Sequence, residues 1–236
     1  MKKSFVVAFA FAFLSIPVLL SRGHAMPEES QFQPPRAASI DTATMHIGTI
    51  GSTGTVELDV MISKEGKVTN IQVRRDIPPI TPGAVEWVKT WTFQAAKSNH
   101  QPVPSRMTVA VMVNPGLFGG PVTVPALPRV IPQRDEARIQ AAFQPPEVLR
   151  AAYAAYPVLA LTPNPSEVIL ECTLNALGKV ESTKVLHDAP PFTTTAIQAL
   201  ADWRFMAATL NGKPVPASVI LVFAFPARPY VPPPGQ

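Results

Sequence analysis

From Val56 to Ile62, the apolar residues Val56, Leu58, Val60 and Ile62 alternate with Glu57, Asp59 and Met61. A period of two predicts a strand with one face in a core. Lys64-Glu65-Gly66-Lys67 reads as a hairpin turn, with Gly66 suited to the positive φ that closes it, and Val68, Ile71 and Val73 mark the return strand. Asp76 to Pro82 carries three prolines and cannot sustain a ladder, so it is a connection. Ala84, Val85, Val88 and Trp91 then recur at helical spacing, predicting a short helix over 83–90 capped by Thr81, with Pro82 in its first turn. Trp91 and Phe93 step by two and should anchor the helix end on the sheet. After a turn at 99–104, Val109, Val111 and Val113 share one face of a third strand.

The same pattern is then written again. A shift of 112 residues without a gap sets Thr55–Val113 on Glu167–Phe225, and roughly a third of the pairs are identical. Gly66-Lys67-Val68 meets Gly178-Lys179-Val180, Asp76-x-Pro78-Pro79 meets Asp188-x-Pro190-Pro191, Trp91-x-Phe93 meets Trp203-x-Phe205, and Pro102-Val103-Pro104 meets Pro214-Val215-Pro216. So long a shift is a domain period rather than a solenoid repeat. The second helix is expected over Thr194–Asp202, with Ala196, Ile197, Leu200 and Trp203 on its inner side, and Asn211-Gly212 is a tighter turn signal than Asn99-His100. In the last strand Ile220, Val222 and Ala224 face one way and Val219, Leu221, Phe223 and Phe225 the other. Such a strand has both faces covered or an edge that receives a partner. The expected fold is α+β, in two small units that each pack a helix on one face of a three-stranded antiparallel sheet (β-β-α-β).

Around these units, residues 1–25 read as a signal peptide: Met1-Lys2-Lys3, an apolar run from Phe5 to Leu20, and Gly23 and Ala25 at a cleavage site. An uncleaved membrane anchor is the rival reading. Residues 26–53 are expected to be a flexible N-terminal segment, with a short strand or turn near His46–Ile50. The first unit spans 54–114, a Pro/Gly-rich linker 115–134, the second unit 135–226 and a proline-rich tail 227–236. Only the second unit is expected to own an N-terminal helical extension, with helices over Asp135–Ala142 and Glu147–Ala155. The basic isoelectric point of about 9.4 belongs largely to the targeting segment. Without Lys2, Lys3 and Arg22 the 20 basic residues fall to 17 against 16 acidic ones. That balance, with no basic stripe, argues against a nucleic-acid partner.

No constellation for chemistry forms. His187-Asp188 has no placed nucleophile, and Asp76 and Asp188 are expected to accept a backbone hydrogen bond at their connections. Metal ligands do not cluster, no cofactor is indicated, and no small-molecule substrate is indicated. The single cysteine, Cys172, lies in the series Val168, Leu170, Cys172, Leu174 and reads as a buried strand residue. Trp91, Phe93, Trp203 and Phe205 read as core, Gly66 and Gly178 as turn residues, and Arg204 as solvent-facing. Trp87, with Ala199 as its counterpart, should pack between units or stay exposed.

Gly-Lys-Val at the hairpin, a proline-bearing connection, a helix ending in Trp-x-Phe-x-Ala-Ala, and Gly212-Lys213-Pro214-Val215 before an alternating strand together resemble the C-terminal domain of the TonB energy transducers. The resemblance covers both copies, the second more closely, since the first has His100-Gln101 at that turn. It implies a non-catalytic periplasmic role, binding a protein or peptide, such as a segment of an outer-membrane transporter, by adding its strand to the sheet edge. The implied edge is the last strand: Ser218, Val219, Ile220, Leu221, Val222 and Phe223 in copy two, Arg106 and Thr108 in copy one. Two alternatives stand beside a binding module: a TonB-like transducer supporting outer-membrane transport, and an envelope structural protein whose units pair with each other. No histidine lies in the apolar run Phe5–Leu20, where a transducer's anchor carries one.

Overall fold

The segments with a period of two form strands, and the longest of them meet in one sheet rather than two. A computed structural model of the protein describes residues 32–42, 53–115, 123–124, 143–157 and 164–227. The expected signal peptide, the 46–50 strand or turn, the 135–142 helix and nearly all of the linker and tail lie outside them. In chain order the strands of the first half are β1 (Phe32–Gln33), β2 (Arg36–Ser39), β3 (Gly54–Ile62), β4 (Val68–Arg75), β5 (Thr92–Gln94), β6 (Ala96–Ser98), β7 (Gln101–Val103) and β8 (Ser105–Val113), with α1 (Thr81–Lys89) before β5. The second half carries β9 (Thr123–Val124), β10 (Phe143–Gln144), β11 (Glu147–Ala152), β12 (Ser166–Leu174), β13 (Val180–His187), β14 (Arg204–Met206), β15 (Ala208–Leu210), β16 (Lys213–Val215) and β17 (Ala217–Phe225). Its helix α2 (Phe192–Ala199) precedes β14 and runs on as a 3-10 turn over Leu200–Asp202.

The central sheet has six strands in the order β13-β12-β17-β8-β3-β4. Each copy supplies three antiparallel strands, as expected, but the copies join at β17 and β8, which pair in parallel from Val219 opposite Thr108 to Ala224 opposite Val113. Two equivalent strands lying parallel side by side present opposite faces, so the helices fall on opposite sides of the sheet. The cores show it. Val109, Val111 and Val113 pack under α1 together with Ile220, Val222 and Ala224 of the other copy. Ala110 and Met112 pack under α2 with Val219, Leu221, Phe223 and Phe225. The expectation of two separate three-stranded sheets is thereby corrected. A last strand apolar on both sides cannot leave either side in water, and the twofold-like join buries all of it.

The N-terminal pieces of the two copies match as well. β1 pairs with β6 and β2 with β5 in the first copy, while β10 pairs with β15 and β11 with β14 in the second. Phe32–Ser39, within the segment expected to be flexible, is thus strand-bearing, and Glu147–Ala152, expected as part of a helix, is a strand. The spacing of Val148, Leu149 and Ala152 fits a helix. Pairing with β14, bulged between Val148 and Arg150, overrides that weak propensity. Where the second helix of that N-terminal extension was expected, copy two carries a strand preface, and copy one carries its counterpart. Its signal is in the sequence: Phe-Gln-Pro-Pro occurs at 32–35 and at 143–146. The offset there is 111 rather than 112, so a gapless comparison passes over it.

Local chemistry fixes the details. Gly66 (φ 82°) sits so close to the chain that an added Cβ would lie 1.8 Å from the Phe93 carbonyl oxygen, and Gly178 (φ 74°) meets Phe205 in the same way at 2.4 Å. These turns therefore lock onto the Trp-x-Phe strands and require glycine. Thr81 does not cap α1, because the cap position is Ile80 and makes no side-chain bond. Instead Thr81 Oγ1 accepts the Ile77 amide at 2.9 Å, as Thr193 Oγ1 accepts that of Ala189. Threonine thus takes the backbone-accepting role expected of Asp76 and Asp188 at these connections, and Asp188 accepts from the Thr193 hydroxyl at 2.5 Å.

Candidate interaction surfaces

The strands proposed from sequence as open edges are the middle of the sheet. Arg106, Thr108 and Ser218 to Phe223 are all buried. β17 has β12 on one side and β8 on the other, and β8 has β17 and β3. Their backbone groups hydrogen-bond within the chain, so neither strand offers an edge to an added peptide in this arrangement. The partner that the apolar last strand called for is the same strand of the other copy.

Beyond the seam, each copy's preface crosses onto the other copy's sheet, held by buried carboxylates. The Ala37 amide donates to Glu171 Oε1 at 2.9 Å, with Arg36 Nη1 on Thr173 Oγ1 at 2.9 Å. On the opposite face the Val148 amide donates to Glu57 Oε1 at 3.0 Å, Arg75 Nη2 reaches the Val148 carbonyl at 3.3 Å, and Thr108 Oγ1 bonds the Pro146 carbonyl. Ala37 and Val148 are matched positions, so the same preface amide is caught twice by a carboxylate of the other copy. Asn114 completes the lock. Its backbone and side-chain amides both donate to the Ala224 carbonyl, at 2.9 and 3.1 Å, and its Oδ1 accepts the Ala154 amide at 2.8 Å. Next to the seam, Asp59 accepts from Arg106 at 3.0 and 2.6 Å and from Arg74 at 2.8 Å, all three residues being buried. A buried ion cluster of this geometry is costly to break because any lone member keeps its desolvation penalty.

The aromatic positions are core, as read from sequence: Trp91, Phe93, Trp203 and Phe205 are all buried. Trp203 Nε1 donates to the Ala152 carbonyl at 3.0 Å, whereas Trp91 Nε1 has no hydrogen-bond partner among the described residues. The matching carbonyl, that of Asp41, is taken by Trp87 at 2.5 Å. Trp87 is therefore neither exposed nor between units. It lies edge-on to Trp91 in the first core, ring centroids 4.6 Å apart. Cys172 is buried and unpaired with another cysteine, and desolvation pushes its thiol up to about 11. His187 and Asp188 close the far edge strand, and Arg204 is exposed, its guanidinium on the carbonyls of Ala201 and Trp203. Among the described residues no cluster of His, Cys, Asp or Glu is placed for a metal, and no helix is long and apolar enough to cross a membrane.

Among the described residues the free edges of the sheet are β13 and β4, each paired on one side only. They differ in what surrounds them. The exposed large hydrophobic residues among those described are Leu149, Leu177, Val185, Ile197 and Met206, all in the second copy. Leu177 and Met206 stand where the first copy has Glu65 and Gln94. That contrast was available from the aligned copies and marks β13 and its hairpin, rather than β17, as the unusual surface. Ile197, expected on the inner side of α2, is 42 % exposed, because the helix turns Ala196 and Ala199 inward.

A family model described as Gram-negative bacterial TonB protein C-terminal matches the chain twice, over residues 49–113 and 154–226. The chain belongs to this TonB C-terminal family. Together the two matches cover more than half of the 236 residues, and each takes in one full β-β-α-β unit with its last strand. No curated protein and no solved structure is significantly similar to it. Family membership makes this a non-catalytic protein of a typically periplasmic class, and it suggests partners among envelope and outer-membrane proteins.

Proposed function

We propose that this tandem TonB C-terminal protein supports outer-membrane transport, as a TonB-like transducer component that engages a protein partner in the periplasm. The observation that carries the reading is the double family match, which accounts for both cores. The chain reaches the periplasm through the signal at residues 1–25. The partner's extended segment adds to β13, the outer strand of the second copy. Strand addition draws affinity from backbone hydrogen bonds and specificity from alternate side chains. Among the described residues β13 is paired on one side only, and it carries an exposed Val185 towards its end, with an exposed Leu177 in the hairpin before its start. Glu181 and Lys184 on the same strand discourage indiscriminate edge pairing.

The test is a photoreactive residue at Val185 in living cells, with the same residue at exposed Glu86 as a surface control, combined with loss of the gene. An outer-membrane transporter captured from Val185 but not Glu86, with reduced energy-dependent uptake in cells lacking the gene, is the expected result. Unchanged uptake with no captured envelope protein would overturn the proposal. The seam favours one second reading, an envelope structural protein whose domains serve chiefly to pair with each other. It predicts that outcome, together with altered envelope integrity when the gene is lost.

A further inference from the structure

In the first copy the preface runs beside the Trp-x-Phe strand in two short ladders with a break between them. Gln33 stands opposite Lys97 in the β1–β6 pair and Arg36 opposite Gln94 in the β2–β5 pair, and Pro34-Pro35 and Ala95 lie between the two ladders. A proline has no amide to give a ladder, so the break is written in the sequence. A pocket of about 260 Å3 opens there, lined by both opposed pairs and by Phe32 and Pro34. Directly opposed residues share a face of a ladder. Gln94 and Lys97 are exposed while Phe93 and Ala96 turn into the core, so both pairs stand on the outer face. Their polar groups are largely uncommitted. Arg36 Nη1 donates to Thr173 Oγ1 at 2.9 Å and lies 4.0 Å from Glu171 Oε2, which fixes the guanidinium. Its Nε and Nη2, the Lys97 ammonium and the side-chain amides of Gln33 and Gln94 make no hydrogen bond or ion pair among the described residues.

We propose that this pocket binds a small hydroxylated phosphate monoester, its phosphate on Arg36 and Lys97 and its hydroxyls on the amides of Gln33 and Gln94. The free edge of an arginine matches two phosphate oxygens and a lysine adds a point charge, whereas amides both donate and accept, as hydroxyls require. The volume lies just below the roughly 300–1,000 Å3 of sites for drug-sized molecules, which limits the ligand's body to about one sugar ring. The Thr173 bond orders Arg36 before the ligand arrives and so lowers the cost of binding. The set occurs once. At the matched ladder positions the second copy has Gln144 opposite Thr209 and Glu147 opposite Met206, which leaves no cation. The site belongs to the first copy, apart from the β13 edge, and does not rest on the transport reading.

Calorimetric titration of the full mature chain with glucose 6-phosphate tests it, in about 0.15 M salt so that loose charge attraction is screened. One ligand per chain is the expected result, with glucose weaker by about tenfold or more because it lacks the charged acceptor. Lys97→Thr combined with Gln94→Met installs the second copy's residues at two exposed positions. The double variant should keep the parent's thermal transition and bind glucose 6-phosphate about tenfold more weakly or worse. Lys179→Thr removes one exposed charge from the other copy's hairpin and should leave binding as it was. Flotation with vesicles bearing phosphatidylinositol 4-phosphate, against vesicles of phosphatidylinositol, separates two sources of the same group. Capture that the double variant loses assigns the pocket to a lipid headgroup, and glucose 6-phosphate binding without capture assigns it to a free sugar phosphate. Neither saturable binding nor variant-sensitive capture would overturn the proposal. So would equal binding of glucose, an equal loss in Lys179→Thr, or undiminished binding by the folded double variant.

Discussion

Ile220→Ala is the sharpest test of the joined sheet. Ile220 leaves β17 on the side away from α2, so in a domain standing alone it would face solvent. Here it is fully buried in the core under α1, opposite Val109 across the parallel seam. Truncation removes three buried carbons, worth about 2.4 kcal/mol at about 0.8 kcal/mol each. The cavity left behind brings the expected cost to about 3–4 kcal/mol, within the usual range for Ile→Ala in a core. A solvent-facing residue would cost no more than about 0.5 kcal/mol. All three tryptophans are placed to report: Trp87 and Trp91 in the first copy, Trp203 in the second. In a Trp203→Phe background, fluorescence during urea unfolding follows the first copy alone, although the mutated residue belongs to the second. With a slope of roughly 2 kcal/mol per molar urea, the midpoint should fall by about 1.5–2 M. Val109→Ala in the same background should couple with it by at least about 0.5 kcal/mol, since the two side chains share one layer. A first-copy transition that stays where it was would refute the shared core.

Trp203→Phe should cost about 1–2 kcal/mol more than Trp91→Phe in thermal or urea unfolding, because it loses the bond to the Ala152 carbonyl, whereas Trp91→Phe removes an indole N–H with no partner among the described residues. His100 sits at φ 66° beside Asn99 at φ 49°, where the second copy has Gly212, so His100→Gly should stabilise by up to about 1 kcal/mol, read as a raised melting temperature. Cys172 should resist a disulfide reagent at pH 8 in the native protein and react with one equivalent once unfolded. Its thiol is raised from 9.0 to about 11 by burial, so the protein should hold that contribution below pH 9 and lose it as pH rises towards 11, measured by urea unfolding at a pH series.

What was legible in the sequence was whatever a short window controls. The alternation at Val56–Ile62, the glycine at each hairpin and the Trp-x-Phe step each constrain backbone within a few residues and form the strand, turns and step expected, although the strand's polar face, Glu57 and Asp59, is buried as well. The prefaces were hidden because a two-residue strand such as Phe32–Gln33 has no period, and because one residue of slippage separates the two Phe-Gln-Pro-Pro segments. Glu147–Ala152 was misread because its strand state is set by β14, some 50 residues away, rather than by its own spacing. The seam was half legible. An apolar residue on both sides of the last strand required a cover for each, but periodicity cannot say whether that cover is another protein or the same chain.

Internal pairing changes what the duplication permits. Two identical subunits joined at their last strands would have to keep every residue suitable for both sides of the axis. One chain is free of that constraint, and the two copies have diverged position by position. Arg106 is part of the Asp59 cluster while its match, Ser218, is small enough to leave the other face to Arg36 and Thr173. Glu65 and Gln94 keep the first copy polar where Leu177 and Met206 make the second apolar. With β8 and β17 committed to each other, the edge strands of the sheet are β13 and β4, and among the described residues only the second copy combines such an edge with exposed large hydrophobic side chains. The first copy, whose β4 ends in Arg74 and Arg75 buried against Asp59 and the second preface, is specialised for holding the pair together. It follows that polar substitution of Leu177 or Val185 should affect partner capture without lowering stability, and that substitution of Asp59 should do the reverse.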